Sequence, residues 1–332
     1  MTETVGAVLT RPVVDAGAAR DVLRERWSID GELRALPSER DRNFAVAVDG
    51  VDRYVLKISN ATEDASFIEM QHAAMRRLSG AGVPCQLPVP TPAGQEAIGI
   101  RFGAEPPHLV RLLTWLPGRP LATVPADARP RELLEDLGRT MGRTAAALRG
   151  FDHPAARRTF QWEASQGLGV IDAHAAAVTD RRRHDLLAAW RGRLASLAEV
   201  LPRLRVSVIH NGANDHNVLV SDDRRAVSGL LDLGDAVWSV TVNELAVAAA
   251  YAALDAPDPL AVISAVRTGF ERELALTADE SGVVLDLVAL RLCTSVALSA
   301  HQSSLAPDDP YLTVSEAPAW ALLDRLDRGT GA

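Results

Sequence analysis

The chain has 332 residues, of which 47% are hydrophobic and 23% charged, and its formal net charge is −8. That length holds one large domain or two lobes with a sizeable core. The acidic balance argues against a general nucleic-acid binder, which carries a basic surplus.

Met1–Val14 lacks the charged start and apolar run of a signal peptide. Residues 43–59 read as a hairpin: Phe44, Val46 and Val48 alternate, Asp49-Gly50 turns the chain, and Tyr54, Leu56 and Ile58 alternate again. Lys57 falls on the opposite face of the second strand, beside Val55. It is the one lysine among 35 basic residues, in a chain where arginine has taken every other place. A lysine kept against that drift points to a need for a compact ammonium rather than a planar fork. A helix is expected from about Glu63 to Ser79, with Thr62 as N-cap and a core stripe of Phe67, Met70, Ala74 and Leu78. Ile98–Phe102 and Val110–Thr114 read as strands, and Trp115-Leu-Pro-Gly118 breaks the pattern as a boundary between two lobes. Beyond it the periodicity is helical over Leu133–Leu148, Ala173–Val200, Val242–Leu254, Leu260–Ala275 and Val283–Ser299. Ala246–Leu254 is too short to span a membrane and ends in Asp255, so no membrane segment is expected. Cys85 and Cys293 lie far apart without metal-type spacing, which fits buried thiols in a reduced cytoplasm. A small sheet first and helices later make an α+β chain.

Two short segments carry the chemistry. His-Asn-Gly-Ala-Asn-Asp-His-Asn at 210–217 and Leu-Leu-Asp-Leu-Gly-Asp at 230–235 have the spacing of a catalytic loop followed by a metal-binding loop. Phosphoryl transfer needs an acceptor for the hydroxyl proton and oxygen ligands holding Mg²⁺ against nucleotide phosphates. Asn217 and Asp232 are placed to be those ligands. The proton acceptor belongs two residues after His210, where the chain has Gly212.

Several segments, in order, resemble the aminoglycoside phosphotransferase superfamily, and within it the hydroxylysine-kinase-like, aminotransferase-associated branch. They are Ser38–Phe44, Val110–Gly118, Gly150–Pro154, the 210–217 loop, Asp232–Asp235 and Pro310–Trp320. The resemblance implies a protein-kinase-like bilobal fold, with a nucleotide-binding lobe over 1–113, a hinge over 114–118 and a helical lobe over 119–332. It implies ATP or GTP in the cleft between lobes and Mg²⁺ on Asn217 and Asp232. Lys57 would hold the phosphates, Asn43 would lie near the phosphate loop, and Thr114, Trp115 and Leu116 would meet the base. His210 is similar to a loop histidine that packs and hydrogen-bonds rather than reacts. Asp215 is read first as loop architecture and second as a compensating catalytic group. Asp235, Trp238, Glu244 and Arg291 are candidates to line the acceptor pocket, for a small hydroxylated amine or amino acid. The strand lysine's helix partner in such folds is a glutamate; here the helical geometry favours Gln71 or Glu63 and disfavours Glu69.

The departure from the family pattern matters as much as the match. Family members carry Asp where this chain has Gly212. The chain is then a phosphotransferase whose proton acceptor is replaced, or a kinase fold turned to nucleotide binding without transfer or to another reaction, or an engineered variant. General-base help is worth roughly 10²–10⁴-fold, so losing it slows transfer without abolishing it. If the missing carboxylate is what limits the rate, Gly212→Asp should raise transfer on the order of tenfold to ten-thousandfold.

Overall fold

In a computed structural model the described residues are 11–38, 40–103, 106–306 and 315–330. The first ten residues of the leader reading, Glu39 in the approach to the hairpin, and 310–314 of the last matched segment lie outside them. The chain divides into two compact units, Leu9–Ser79 with Cys85–Pro117, and Gly80–Pro84 with Gly118–Ala332.

The first unit is built on an antiparallel sheet. Helix α1 (Ala16–Trp27) precedes β1 (Glu32–Leu36), β2 (Arg42–Val48) and β3 (Val51–Ile58); helix α2 (Ala65–Gly80) follows, then β4 (Pro88–Val89), β5 (Ile98–Ile100) and β6 (His108–Thr114). The order is β1-β2-β3-β6-β4, with β5 also pairing β6. The expected hairpin is present, its turn made by Asp49 and Gly50, both with left-handed φ. Strand register sorts the side chains by face. Phe44, Val46, Leu56, Ile58, Val110 and Leu112 form one core with Ala19, Val22, Leu23 and Trp27 of α1. The other face carries a polar row across three strands, because Asn43 pairs with Lys57 and Lys57 with Arg111. Period-2 alternation places all three on the face opposite the α1 core. Helix α2 begins at Ala65, two residues later than the sequence suggests. Asp64 accepts from the N–H of Ser66, which makes it, and not Thr62, the residue that closes the first turn.

The second unit is mostly helical. After β7 (Arg119–Pro120) come α3 (Arg131–Leu148), α4 (Gly167–His174), α5 (Arg181–Arg193) and α6 (Leu197–Val200). Strands β8 (Val206–Ile209), β9 (Val218–Val220), β10 (Val227–Leu230) and β11 (Val237–Val240) then precede α7 (Asn243–Ala252), α8 (Pro259–Glu271), α9 (Ala278–Leu305) and α10 (Glu316–Thr330). The single helix expected over 173–200 is instead several pieces. Asp180 caps a new start through the N–H of Arg183, and Pro202 ends the run. Helix α9 is longer than periodicity indicated because a capping box, Thr277 with Glu280, starts it early. By length and composition it would cross a membrane, contrary to the sequence expectation, yet 78% of its apolar window is buried inside the protein, as in a core helix. Helices α3 and α8 cross at backbone contact: a Cβ on Gly138 would stand 1.8 Å from the carbonyl oxygen of Val266, and one on Gly269 1.8 Å from that of Glu135.

Candidate active site

The loop between β8 and β9 and the loop between β10 and β11 come together in the second unit. The strands do the positioning: β9 pairs with β10, β8 with β11, and the N–H of Leu231 donates to the carbonyl of Asn217 at 2.8 Å. Phe160, Ile209 and Val237 pack beneath, with Trp162 against them.

The first loop is fastened residue by residue. His210 is fully buried, and burial pushes its pKa down, so the ring is neutral. Its Nδ1 accepts from the N–H of Gly212 at 3.1 Å, which leaves the proton on Nε2 to donate to the carbonyl of Leu231 at 2.9 Å. Both nitrogens are spent, in line with a packing role. Asn211 takes a left-handed φ of 59° and gives its side-chain amide to the carbonyl of Trp162 at 3.2 Å. Its Oδ1 accepts from Asn243 at 3.0 Å. Glu244, in the first turn of α7, accepts from the backbone N–H groups of both His210 and Asn211. Desolvation raises its pKa to about 7, against the lowering effect of those two bonds. Sequence reasoning offered Glu244 for the acceptor pocket; the geometry commits it to the loop.

Asn214 accepts from the N–H groups of His216 and Asn217, both at 3.0 Å, a local turn that aims Asn217. Asn217 donates its amide to the carbonyl of Gly212 at 2.9 Å, a bond that engages its nitrogen and not its Oδ1. Asp232 stands one residue beyond Leu231, with φ 56° and ψ 97°, its Oδ1 accepting from the N–H of Gly234 at 2.9 Å. The backbone bond from Leu231 to Asn217 sets the loop of Asp232 beside the loop of Asn217; an amide oxygen and a carboxylate are donors of the kind Mg²⁺ takes, one or two from protein beside water and phosphate.

Asp215 points elsewhere. Its backbone carbonyl accepts from Ala122, its charged neighbours are His216, Arg129 and Asp255, and burial raises its pKa. Asp235 ends the turn Leu233–Asp235 and is half-buried. Trp238 lies under the Arg157 guanidinium, 4.4 Å from the ring centre. Arg291, on α9, is buried and sits over the rings of Trp162 at 4.3 Å and Tyr251 at 5.5 Å, with its Nε unpartnered.

In the first unit, Lys57 is buried, with Asp41 at 3.9 Å. The Oδ1 of Asn43, the Nε and Nη1 of Arg111 and both side-chain polar atoms of Gln71 are buried without a hydrogen-bond partner. His72 of α2 feels the Arg111 charge, which places the helix on the polar face; burial and that charge lower its pKa to about 4. Gln71 is thus inside the unit, whereas Glu63 precedes α2. The N–H groups of Thr114 and Trp115 are held by the carbonyls of Leu87 and Arg53. Sequence reasoning missed Asn211, Asn243 and Trp162; an asparagine in a His-Asn-Gly turn was the one signal, since asparagine tolerates left-handed φ.

A sequence model described as the phosphotransferase enzyme family matches residues 32–278. The hydroxylysine kinase of Mus musculus is 30% identical over 321 residues, covering 89% of this chain and 84% of the relative. Among solved structures, an amicoumacin kinase in complex with AMP-PNP, Ca²⁺ and Ami has a TM-score of 0.66 at 16% identity, over 88% of each chain. A microcompartment-associated aminopropanol kinase has a TM-score of 0.62 at 19% identity, over 96% of this chain and 99% of the other. The fold is accordingly the α+β, protein-kinase-like one. With a match that spans most of its length, the chain belongs to the phosphotransferase enzyme family.

Proposed function

We propose that the protein transfers the γ-phosphoryl group of ATP or GTP to a hydroxyl of a small amino acid or amino alcohol. The observation that supports this reading is the joining of two loops, one carrying Asn217 and the other Asp232, by the Leu231–Asn217 and His210–Leu231 hydrogen bonds, with His210 buried and neutral. A fold that had given up nucleotide phosphates would have no use for that pair. The likeness to hydroxylysine kinase and to an aminopropanol kinase supports a small hydroxylated amine as acceptor. The buried free thiols of Cys85 and Cys293 suit a cytoplasmic site of action.

In this reading each residue has a physical task. Asn217 and Asp232 hold Mg²⁺, which neutralises charge on the phosphates. Lys57 supplies a compact cation suited to nucleotide phosphates, and Asn43 lies beside it. Arg111, next in the polar row, adds positive potential. Because the N–H groups of Thr114 and Trp115 are already engaged, the segment meets a base through Leu116 or through carbonyls. His210, Asn211 and Glu244 act by rigidity: they fix the loop so that no reorganisation is needed during transfer. Trp238 and Arg291 offer an aromatic wall and a cation suited to a substrate carboxylate.

The test is product formation, read by mass spectrometry, across hydroxylated amino acids and amino alcohols with ATP and GTP, beside thermal-shift titrations with and without Mg²⁺. A phosphorylated product and a metal-dependent shift are expected. The second reading, a nucleotide-binding protein without transfer, is favoured by the missing carboxylate at Gly212. It is the outcome if a metal-dependent shift occurs and no product forms.

A further inference from the structure

Gly212 is not explained by its backbone. Its φ lies outside the left-handed region, so any residue fits its conformation. What it lacks is room. A Cβ built there stands 3.1 Å from the Cβ of Asp235, 3.2 Å from its Oδ2 and 3.5 Å from its Cγ. The three heavy atoms nearest to a Cβ at 212 all belong to the Asp235 side chain.

We infer that Asp235 takes the proton of the acceptor hydroxyl, a carboxylate supplied from the facing loop beside position 212, where the resemblance implies one. Standard bond lengths put the oxygens of an aspartate roughly 2.4 Å from its own Cβ. Asp235 Oδ2, 3.2 Å from the Cβ site of residue 212, lies under an ångström beyond the shell that the oxygens of an aspartate at position 212 would occupy. The turn that presents it is braced. Asp232 holds the N–H of Gly234, Arg158 donates to the carbonyl of Gly234 at 2.7 Å, and Ala236 closes on Leu233. Asp235 is half-buried, as a group that meets substrate must be. His210 is engaged through both nitrogens and Glu244 through both oxygens. In the step, the substrate O–H bond breaks and its proton passes to the Asp235 carboxylate. The substrate oxygen bonds to the γ-phosphorus, and the bond from that phosphorus to the β,γ-bridging oxygen breaks, leaving the nucleoside diphosphate. This assignment rests on the phosphotransferase reading above.

Steady-state kinetics of four variants, with folding checked by circular dichroism and nucleotide binding by titration, test it. Asp235→Asn should lower kcat by a hundredfold or more, with KM and nucleotide affinity within a few-fold of the parent. Gly212→Ala, whose Cβ displaces the carboxylate, should lower kcat at least tenfold, and it carries the test if Asp235→Asn does not fold. Gly212→Asp alone should gain less than tenfold, because it crowds a carboxylate already in place. Gly212→Asp added to Asp235→Asn should recover at least tenfold over Asp235→Asn. An Asp235→Asn enzyme with normal kcat, a loss confined to KM, a large gain from Gly212→Asp alone, or no recovery in the double variant each overturns the assignment. No product from the parent chain with any acceptor overturns the phosphotransferase reading itself, and an active parent with an equally active Asp235→Asn overturns the base assignment alone.

Discussion

Glu244 accepts hydrogen bonds from the backbone N–H groups of His210 and Asn211, so the first turn of α7 fixes the loop that precedes β9. A buried carboxylate in that position makes stability depend on pH. Burial raises the pKa of Glu244 from 4.5 to about 7. The folded state therefore binds this proton more tightly than the unfolded chain, and the group's contribution is lost as pH rises from the unfolded value through the folded one. The loss amounts to about 3 kcal/mol across that window. Urea denaturation at pH 5 and pH 7.5 should show it, and Glu244→Gln should flatten the difference while lowering stability at pH 5 by about 1–3 kcal/mol for the weakened acceptor. A pH slope unchanged in Glu244→Gln would assign it to other groups.

Asn217→Ala and Asp232→Ala should each remove the Mg²⁺-dependent part of the nucleotide thermal shift. Each leaves the cation one protein oxygen in place of two, which weakens its hold beside the phosphates. Asn217→Ala also frees the carbonyl of Gly212, so it should cost more stability than a surface substitution. A full metal response in either variant would place the cation elsewhere.

Lys57→Ala should weaken Mg-nucleotide binding by more than tenfold. Lys57→Arg should rescue little, because a planar fork does not replace a compact ammonium beside Arg111 and Asn43. Calorimetry measures both, and an affinity equal to the parent in Lys57→Ala would remove the lysine from the phosphate site.

Gly138→Ala and Gly269→Ala should each destabilise the helical unit by at least the ~1–3 kcal/mol of ordinary overpacking. Their Cβ atoms would meet backbone oxygens at 1.8 Å, and backbone cannot rotate aside as a side chain can. Thermal melts give the measure; an unchanged melting temperature would mean that α3 and α8 separate freely.

The parts of this molecule governed by local pattern were legible in the chain. Phe44, Val46, Leu56 and Ile58 alternate because one face meets α1, and Asp49-Gly50 turns because both residues accept left-handed φ. The adjacency of the loops that carry Asn217 and Asp232 was legible too, since strand pairing across a short loop is a matter of spacing. What was not legible depends on partners distant in sequence. Nothing near Glu244 announces that it answers to the N–H groups of His210 and Asn211, and nothing near Gly212 announces Asp235. The break of the helix expected over 173–200 was missed for a different reason. Alanine and arginine propensity continued through Asp180, while its side chain was already capping the next helix.

The solitary lysine gives the chain an unusual relation to proteolysis. An endoprotease that cleaves after lysine has a single susceptible bond in 332 residues, between Lys57 and Ile58. That bond lies inside β3, flanked by β2 and β6, and both of its residues are buried. The folded sheet withholds it, so cutting requires the sheet of the first unit to open, and its rate follows the population of that opened state when opening and closing outpace cleavage. Two fragments of fixed size, 1–57 and 58–332, would then report the stability of one unit in the presence of the other, without a label or an engineered site.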